Sequence, residues 1–239
     1  MSSRSSTPSP APSSPAPSSP GRLSASSQPH QVIAAPSAAQ TRTSVVFAND
    51  HFVVQPSALG GLGAFAARDL RQGETILVEE PLLVADSFGF MEAYYALSEE
   101  AKRAYLSLHG ADEANPFTQV EAIMRYNSFS LPYPPSEEFP SGGGHSGRMA
   151  IFAIASRFNH ACATGPRNVA YFLDGETGAI TMVVCADSVP AGAELLISYG
   201  NSPRDLYASH GFRCQCGGCI DPLTEEEVRR LEMSQWGDR

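Results

Sequence analysis

From Thr43 onward, apolar and polar positions alternate over short runs broken by Gly and Pro. Residues 52–55, 64–67 and 75–79 are short runs with β-branched or aromatic residues, and Gly60-Gly61-Leu62-Gly63 and Arg71-Gln72-Gly73 supply turns between them. That pattern predicts a β-meander. The period then changes. Tyr94, Leu97, Ala101, Ala104, Tyr105 and Leu108 recur at spacings of three and four, which predicts one helix over 90–108, with a shorter one over 117–125. Residues 132–147 hold four Pro and four Gly in sixteen positions and read as an exposed, mobile loop. Residues 149–156 are apolar and ambiguous, whereas 169–173, 179–186 and 194–198 read as strands. Thr224-x-x-Glu227 is a capping box for a final helix within 221–239, with Val228 and Leu231 on one side. No internal repeat interrupts this order. The elements predict an α+β fold of mainly short strands around a helical insert at about 90–148.

Composition divides the chain. Its 239 residues allow one substantial domain or two small ones. Residues 1–42 hold 13 Ser, 8 Pro and no acid, with Arg4, Arg22 and Arg42 the only charges. Such a segment buries too little apolar surface to offset backbone entropy, so a disordered Ser/Pro-rich tail is predicted. Its composition superficially suits a transit peptide, but the prolines from position 8 to 20 forbid an early amphipathic helix. An unstructured linker or phosphorylation platform fits better, and organelle targeting stays open. The net charge is −9, and without the tail 25 acids face 13 bases, a net of −12 on the folded part. Sequence-specific nucleic-acid binding is therefore not expected. No apolar run reaches the length of about 20 residues that spans a bilayer, and five cysteines do not suit a secreted disulfide framework. The expectation is a soluble intracellular protein of the nucleus or cytoplasm.

The strongest chemical signal is Cys214-x-Cys216-x-x-Cys219. Three thiols so close together suit a tetrahedral Zn²⁺, which takes four Cys or His ligands. The fourth ligand is open among Cys162, Cys185, His210, His160 and water. Cys185 lies in a strand-like run and reads better as a small core residue, while Cys162 sits in a Gly- and Pro-containing stretch freer to reach the metal.

Four ordered motifs resemble the SET-domain family over about residues 43–220. Gly61-Leu62-Gly63-Ala64-Phe65-Ala66, Asp69-Leu70-x-x-Gly73-Glu74 and Glu80-Pro81-Leu82 resemble its opening strands. Ser156-Arg157-Phe158-Asn159-His160-Ala161-Cys162 resembles its Asn-His-Ser-Cys motif, and Gly192-Ala193-Glu194-Leu195-Leu196-Ile197-Ser198-Tyr199-Gly200 its Gly-Glu-Glu-Leu-x-x-x-Tyr segment. Gly211-Phe212-Arg213 and the cysteine trio, 211–220, resemble the post-SET closure. The cysteine spacing and Asn127-Ser128-Phe129 look most like the branch that includes SET proteins with a MYND zinc module and their fungal relatives. Five cysteines cannot supply a MYND module as well as the post-SET cluster.

The resemblance implies a β-clip with a pseudoknot and transfer of methyl from S-adenosylmethionine to a lysine ε-amine. Tyr199 takes the catalytic position. Gly61, Leu62, Gly63, Asn127, Ser156, Phe158, Asn159, His160, Tyr199 and Phe212 fall at cofactor positions, and Cys162 joins Cys214, Cys216 and Cys219 around a structural zinc. The implied partner is a protein with an exposed lysine, and the acidic folded part points to basic targets such as histone tails or ribosomal proteins. A monomer is expected. Three departures stand out: Ala161 replaces the usual Ser, 163–167 insert between Cys162 and Asn168, and Gly60 and Leu62 stand where relatives often carry longer polar side chains. They leave a second reading, a catalytically inactive, zinc-stabilised binding module.

Overall fold

The computed structural model describes residues 45–110, 115–134, 144–200, 202–220 and 222–236. The predicted tail and the centre of the predicted 132–147 loop lie outside the described residues. The strands are β1 (Phe47–Ala48), β2 (Phe52–Pro56), β3 (Leu62–Ala66), β4 (Leu70–Arg71), β5 (Thr75–Glu79), β6 (Leu83–Asp86), β7 (Phe129–Ser130), β8 (Arg148–Ile151), β9 (Asn159–His160), β10 (Val169–Leu173), β11 (Ile180–Val184), β12 (Ser188–Val189) and β13 (Glu194–Ile197). The helices are α1 (Phe90–Ala96), α2 (Glu99–Leu106), α3 (Pro116–Asn127), α4 (Pro203–His210) and α5 (Glu225–Trp236).

Four small sheets result. The largest runs β1-β2-β3-β13-β9, and the others are β10-β11-β5, β12-β4 and β6-β8-β7. Alternation explains the longer strands: Ile180, Met182 and Val184 of β11 all point inward, as do Phe52 and Val54 of β2. These residues join Leu70, Phe152, Phe158 and Leu195 in one core. The helical insert builds a second core, in which Tyr94, Tyr105 and Ile123 pack on Leu83 of β6 and Ile151 of β8.

The helix predicted over 90–108 is two helices. Leu97 and Ser98 are extended (ψ 148° and 157°), and the Ser98 hydroxyl accepts the Ala101 N–H at 3.2 Å as the cap of α2. The apolar period runs through the break because both helices face one core, with the Tyr94 and Tyr105 rings 5.1 Å apart. The ambiguous stretch 149–156 resolves into the end of β8 and a 3₁₀ turn, Ala155–Arg157. The Glu79 carboxylate tethers that turn by accepting the N–H groups of Ile154 (2.9 Å) and Ala155 (2.8 Å). The capping box of α5 forms as expected, with Thr224 and Glu227 each accepting the other's N–H. Cys185 is half-buried beyond the end of β11, not a core residue. Its neighbours Val184 and Met182 take the inward positions instead.

Tyr105 is fully buried and donates its hydroxyl to the Val120 carbonyl at 2.7 Å, tying α2 to α3. Tyr105→Phe should lower the unfolding free energy by about 1 kcal/mol. Urea denaturation with an unchanged midpoint would remove this bond from the account.

Candidate active site and cysteine cluster

The site begins where β9 runs parallel to β13, pairing Asn159 with Leu196 and His160 with Ile197. The Ala161 N–H extends the pairing to the Ile197 carbonyl at 2.8 Å. Tyr199, two residues past β13, therefore lies beside His160, with ring centres 5.0 Å apart. Its N–H donates to His160 Nδ1 at 3.1 Å, and its hydroxyl donates to the Phe158 carbonyl at 3.0 Å. An accepting Nδ1 leaves the hydrogen of the neutral ring on Nε2. Burial, helped by the neighbouring His210, lowers the His160 pKa to about 4, so the ring is neutral at pH 7. Burial, and secondarily the Glu194 charge, raises the Tyr199 pKa above that of an ordinary phenol, which keeps it protonated.

Two clefts share Tyr199 as a wall. The larger, about 640 Å³, runs from the glycine loop before β3 to the segment after α4. The smaller, about 410 Å³, opens between the end of α3 and His145. Tyr126, Asn127, Ser156, Tyr199 and His210 face both. The insert thus completes the site. The buried Asn127 amide donates to the carbonyls of His109 (2.8 Å) and Ile123 (2.7 Å), fixing the end of α3. Arg125 donates to the last carbonyls of α4, those of Ser209 (3.0 Å) and Ala208 (2.8 Å). Gly211 then takes φ +74° and turns the chain so that Phe212 enters the larger cleft.

The glycine loop is held from below. Glu194 accepts the Ser57 hydroxyl (2.8 and 3.0 Å) and the Asn159 amide (2.7 Å), and that amide also donates to the Leu62 carbonyl at 3.1 Å. A Cβ on Gly63 would stand 2.2 Å from the Glu194 carboxylate, so this glycine makes room for Glu194. At Gly61, by contrast, φ is +58° and a Cβ would meet open space.

Of the residues placed at cofactor positions, Gly61, Leu62, Asn127, Ser156, Asn159, His160, Tyr199 and Phe212 line the larger cleft. Gly63 lies behind it. Phe158 lines the smaller cleft, with its ring in the core against Phe52, 5.2 Å between centres. Of the other lining residues, Leu59, His109 and Tyr126 were not singled out in the sequence, Arg157 stood there only within its motif, and His210 only as a possible metal ligand. Tyr126 and His210 adjoin Asn127 and Gly211 in sequence, and that adjacency was the available signal.

The four cysteines converge. The sulfurs of Cys162, Cys214, Cys216 and Cys219 all lie within 4.8 Å of one another. Cys162 is 3.7 Å from Cys214 and 3.5 Å from Cys219, and Cys216 is 3.8 Å from Cys219. A zinc with bonds of about 2.3 Å to sulfur sets tetrahedral edges of about 3.8 Å, so the donor set fits. His160 stands behind this set as a neighbour, its Nε2 3.5 Å from the Cys162 sulfur. Burial and the adjoining thiols push the Cys162 pKa up, and burial raises that of Cys214 to about 11. Burial also opposes ionisation of Cys216, but the N–H groups of Cys162 and Gly218 outweigh it and bring that thiol to about 7. Four thiolates this close require a cation. The insertion 163–167 packs on the cluster's far side: Gly165 and Gly218 meet backbone to backbone, where a Cβ on Gly218 would stand 2.0 Å from the Gly165 Cα.

A match to the SET domain family covers residues 61–200. The Drosophila melanogaster SET domain-containing protein SmydA-8, isoform B, is 36% identical over 81 residues, 30% of this chain and 17% of that protein. The chain thus matches less than a fifth of the length of that relative. Among solved structures, a candidate histone methyltransferase of Plasmodium falciparum aligns over 65% of this chain and 97% of its own, at 13% identity and a TM-score of 0.37. The methyltransferase domain of human PR domain-containing protein 2 aligns over 65% of this chain and 80% of its own, at 14% identity and a TM-score of 0.36.

Metal analysis of protein purified without chelators should find one zinc per chain, and cobalt exchange should give a tetrahedral thiolate spectrum. Cys162→Ser should weaken metal binding roughly 10- to 100-fold or more, since a thiolate ligand is lost. Full metal content with unchanged affinity in that variant would exclude Cys162 as a ligand.

Proposed function

The chain belongs to the SET-domain family, and from that premise we propose that it is a protein-lysine N-methyltransferase that uses S-adenosylmethionine. The observation that carries this reading is the pair of clefts that meet at Tyr199. One has the size of a small-molecule site, and the other can admit a side chain that reaches the same tyrosine. S-adenosylmethionine supplies a methyl group already activated on a sulfonium. The larger cleft would hold it: the loop at 60–62 offers backbone polar groups with no side chain at Gly60 or Gly61 in the way, Asn159 and His160 offer main-chain groups, and Phe212 offers an aromatic face.

The protein then has to align a lysine amine and keep it neutral. An unperturbed lysine has a pKa of about 10.4. Burial in the smaller cleft, beside the Arg125 charge and with no carboxylate among the described lining residues, favours loss of its proton. The Tyr199 hydroxyl hydrogen is committed to the Phe158 carbonyl, which leaves the phenol oxygen as acceptor for an amine N–H. That bond would aim the nitrogen lone pair across the shared wall, an alignment role that needs no general base. Zinc would act structurally, since four cysteines leave no open position.

Of the departures noted in the sequence, Gly60 and Leu62 line the larger cleft, and neither they nor the insertion reaches the shared wall. The insertion lies on the metal side, and Asn168 after it bonds the β13 backbone twice, accepting the Leu196 N–H and donating to the Glu194 carbonyl, each at 2.8 Å. Calorimetry should therefore detect S-adenosylmethionine binding. Tyr199→Phe should bind it equally and lower kcat roughly 10- to 100-fold toward a lysine-containing protein fraction. Equal labelling by both proteins would remove Tyr199 from its role. No cofactor binding at millimolar concentration would favour a non-catalytic binding module.

A further inference from the structure

The net charge of the chain points to basic partners, but the clefts do not share that charge. Twenty-eight different described residues line them; three are arginines and none is Asp or Glu. Acidic groups near the site are already engaged. Glu194 is bound under the glycine loop by Ser57 and Asn159, and Glu79 holds the turn at 155–157. Other acids lie in exposed first turns of helices, such as Glu99 and Glu100 of α2 and Glu225 to Glu227 of α5.

The three arginines differ in what surrounds them. Arg213 is ion-paired with Glu225, and Arg157 is half-buried with Glu79 as its charged neighbour. Arg125, at the smaller cleft, is exposed; among the described residues it donates to the Ser209 and Ala208 carbonyls and lies over the Tyr126 ring, 6.0 Å from its centre. Those groups carry partial charges, so among the described residues no full charge matches the guanidinium. His145 and His210 flank the same cleft; burial, and then the Arg125 charge, lowers the His210 pKa, so Arg125 is the charge that the described rim presents. A peptide threading its lysine toward Tyr199 sets its neighbouring residues at this rim, since successive residues advance about 3.3 to 3.6 Å.

Resting on the assignment of these clefts to methyl transfer, we propose that the preferred lysine is flanked by Asp or Glu within about three residues, paired with Arg125. Basic neighbours, as in a histone tail, would meet like charge.

The test uses the full chain and peptides with one lysine in a Ser/Ala frame, differing only in Glu, Ala or Arg at the two positions on each side. The protein itself contains a single lysine, Lys102, bonded to Glu99, so Lys102→Arg removes any self-labelling. Labelled methyl transfer should favour Glu over Ala by roughly two- to fivefold in kcat/KM, with Arg weakest. The ranking should flatten in Arg125→Gln, whose fold is checked by circular dichroism, and in wild type at high salt. Fluorescence polarisation with S-adenosylhomocysteine present should give the same ranking of peptide affinity, a readout independent of turnover. Equal or preferred use and binding of the Arg-flanked peptide would overturn the proposal while leaving the methyltransferase reading intact. Ranked binding without transfer to any peptide would support the acidic preference and count against that reading.

Discussion

Between Asn159–His160 and Leu196–Ile197 the chain makes a parallel pairing two residues long, and the functional side chains are placed by it. So short a ladder holds because β13 is an interior strand, with β3 on its other side and Leu195, Ile197 and Ala161 fully buried around it. The Asn168 side chain adds two bonds to the same strand. Past the same end of this seam, β13 leads to Tyr199 and β9 to Cys162. His160 spans the two, accepting the Tyr199 N–H on Nδ1 and directing Nε2 toward the Cys162 sulfur. The wall between the clefts and the metal cluster are therefore one connected structure.

Around that seam the electrostatics are selective. Tyr199 stays protonated and His160 stays neutral because both are buried, so neither brings a charge to the wall. Among the described residues no Asp or Glu lines the clefts, and Glu194 and Glu79 are already bonded. An average over a chain does not describe a cleft, and the expectation of basic targets rests on such an average.

Much of the fold was legible because strands such as β2 and β11 bury every second residue; β5 and β10 match the predicted runs end to end. Strands of two residues, such as β4, β9 and β12, carry no period that could reveal them. The break between α1 and α2 was written in Ser98-Glu99-Glu100, a capping signal overridden by an apolar spacing that continues because both helices share a core. Helix α4 was missed although Ser202, Pro203 and Gly211 mark its ends, since among its described residues only Leu206 is fully inward. In the site, Cys162 and the trio were readable as a group through the resemblance. Tyr126, His109 and His210 were not, because the folding of the insert against α4 brings them to the clefts.

The central claim is that the cysteine cluster holds the segment from Gly211 to Cys219 against the seam and so completes the larger cleft. Stepwise removal of zinc by a chelator, with release followed by a metal dye, S-adenosylmethionine affinity by calorimetry and strand content by circular dichroism, tests it most directly. The account predicts that cofactor binding falls in step with zinc release while the strand signal persists. A zinc-free protein that binds the cofactor as tightly as before would contradict it.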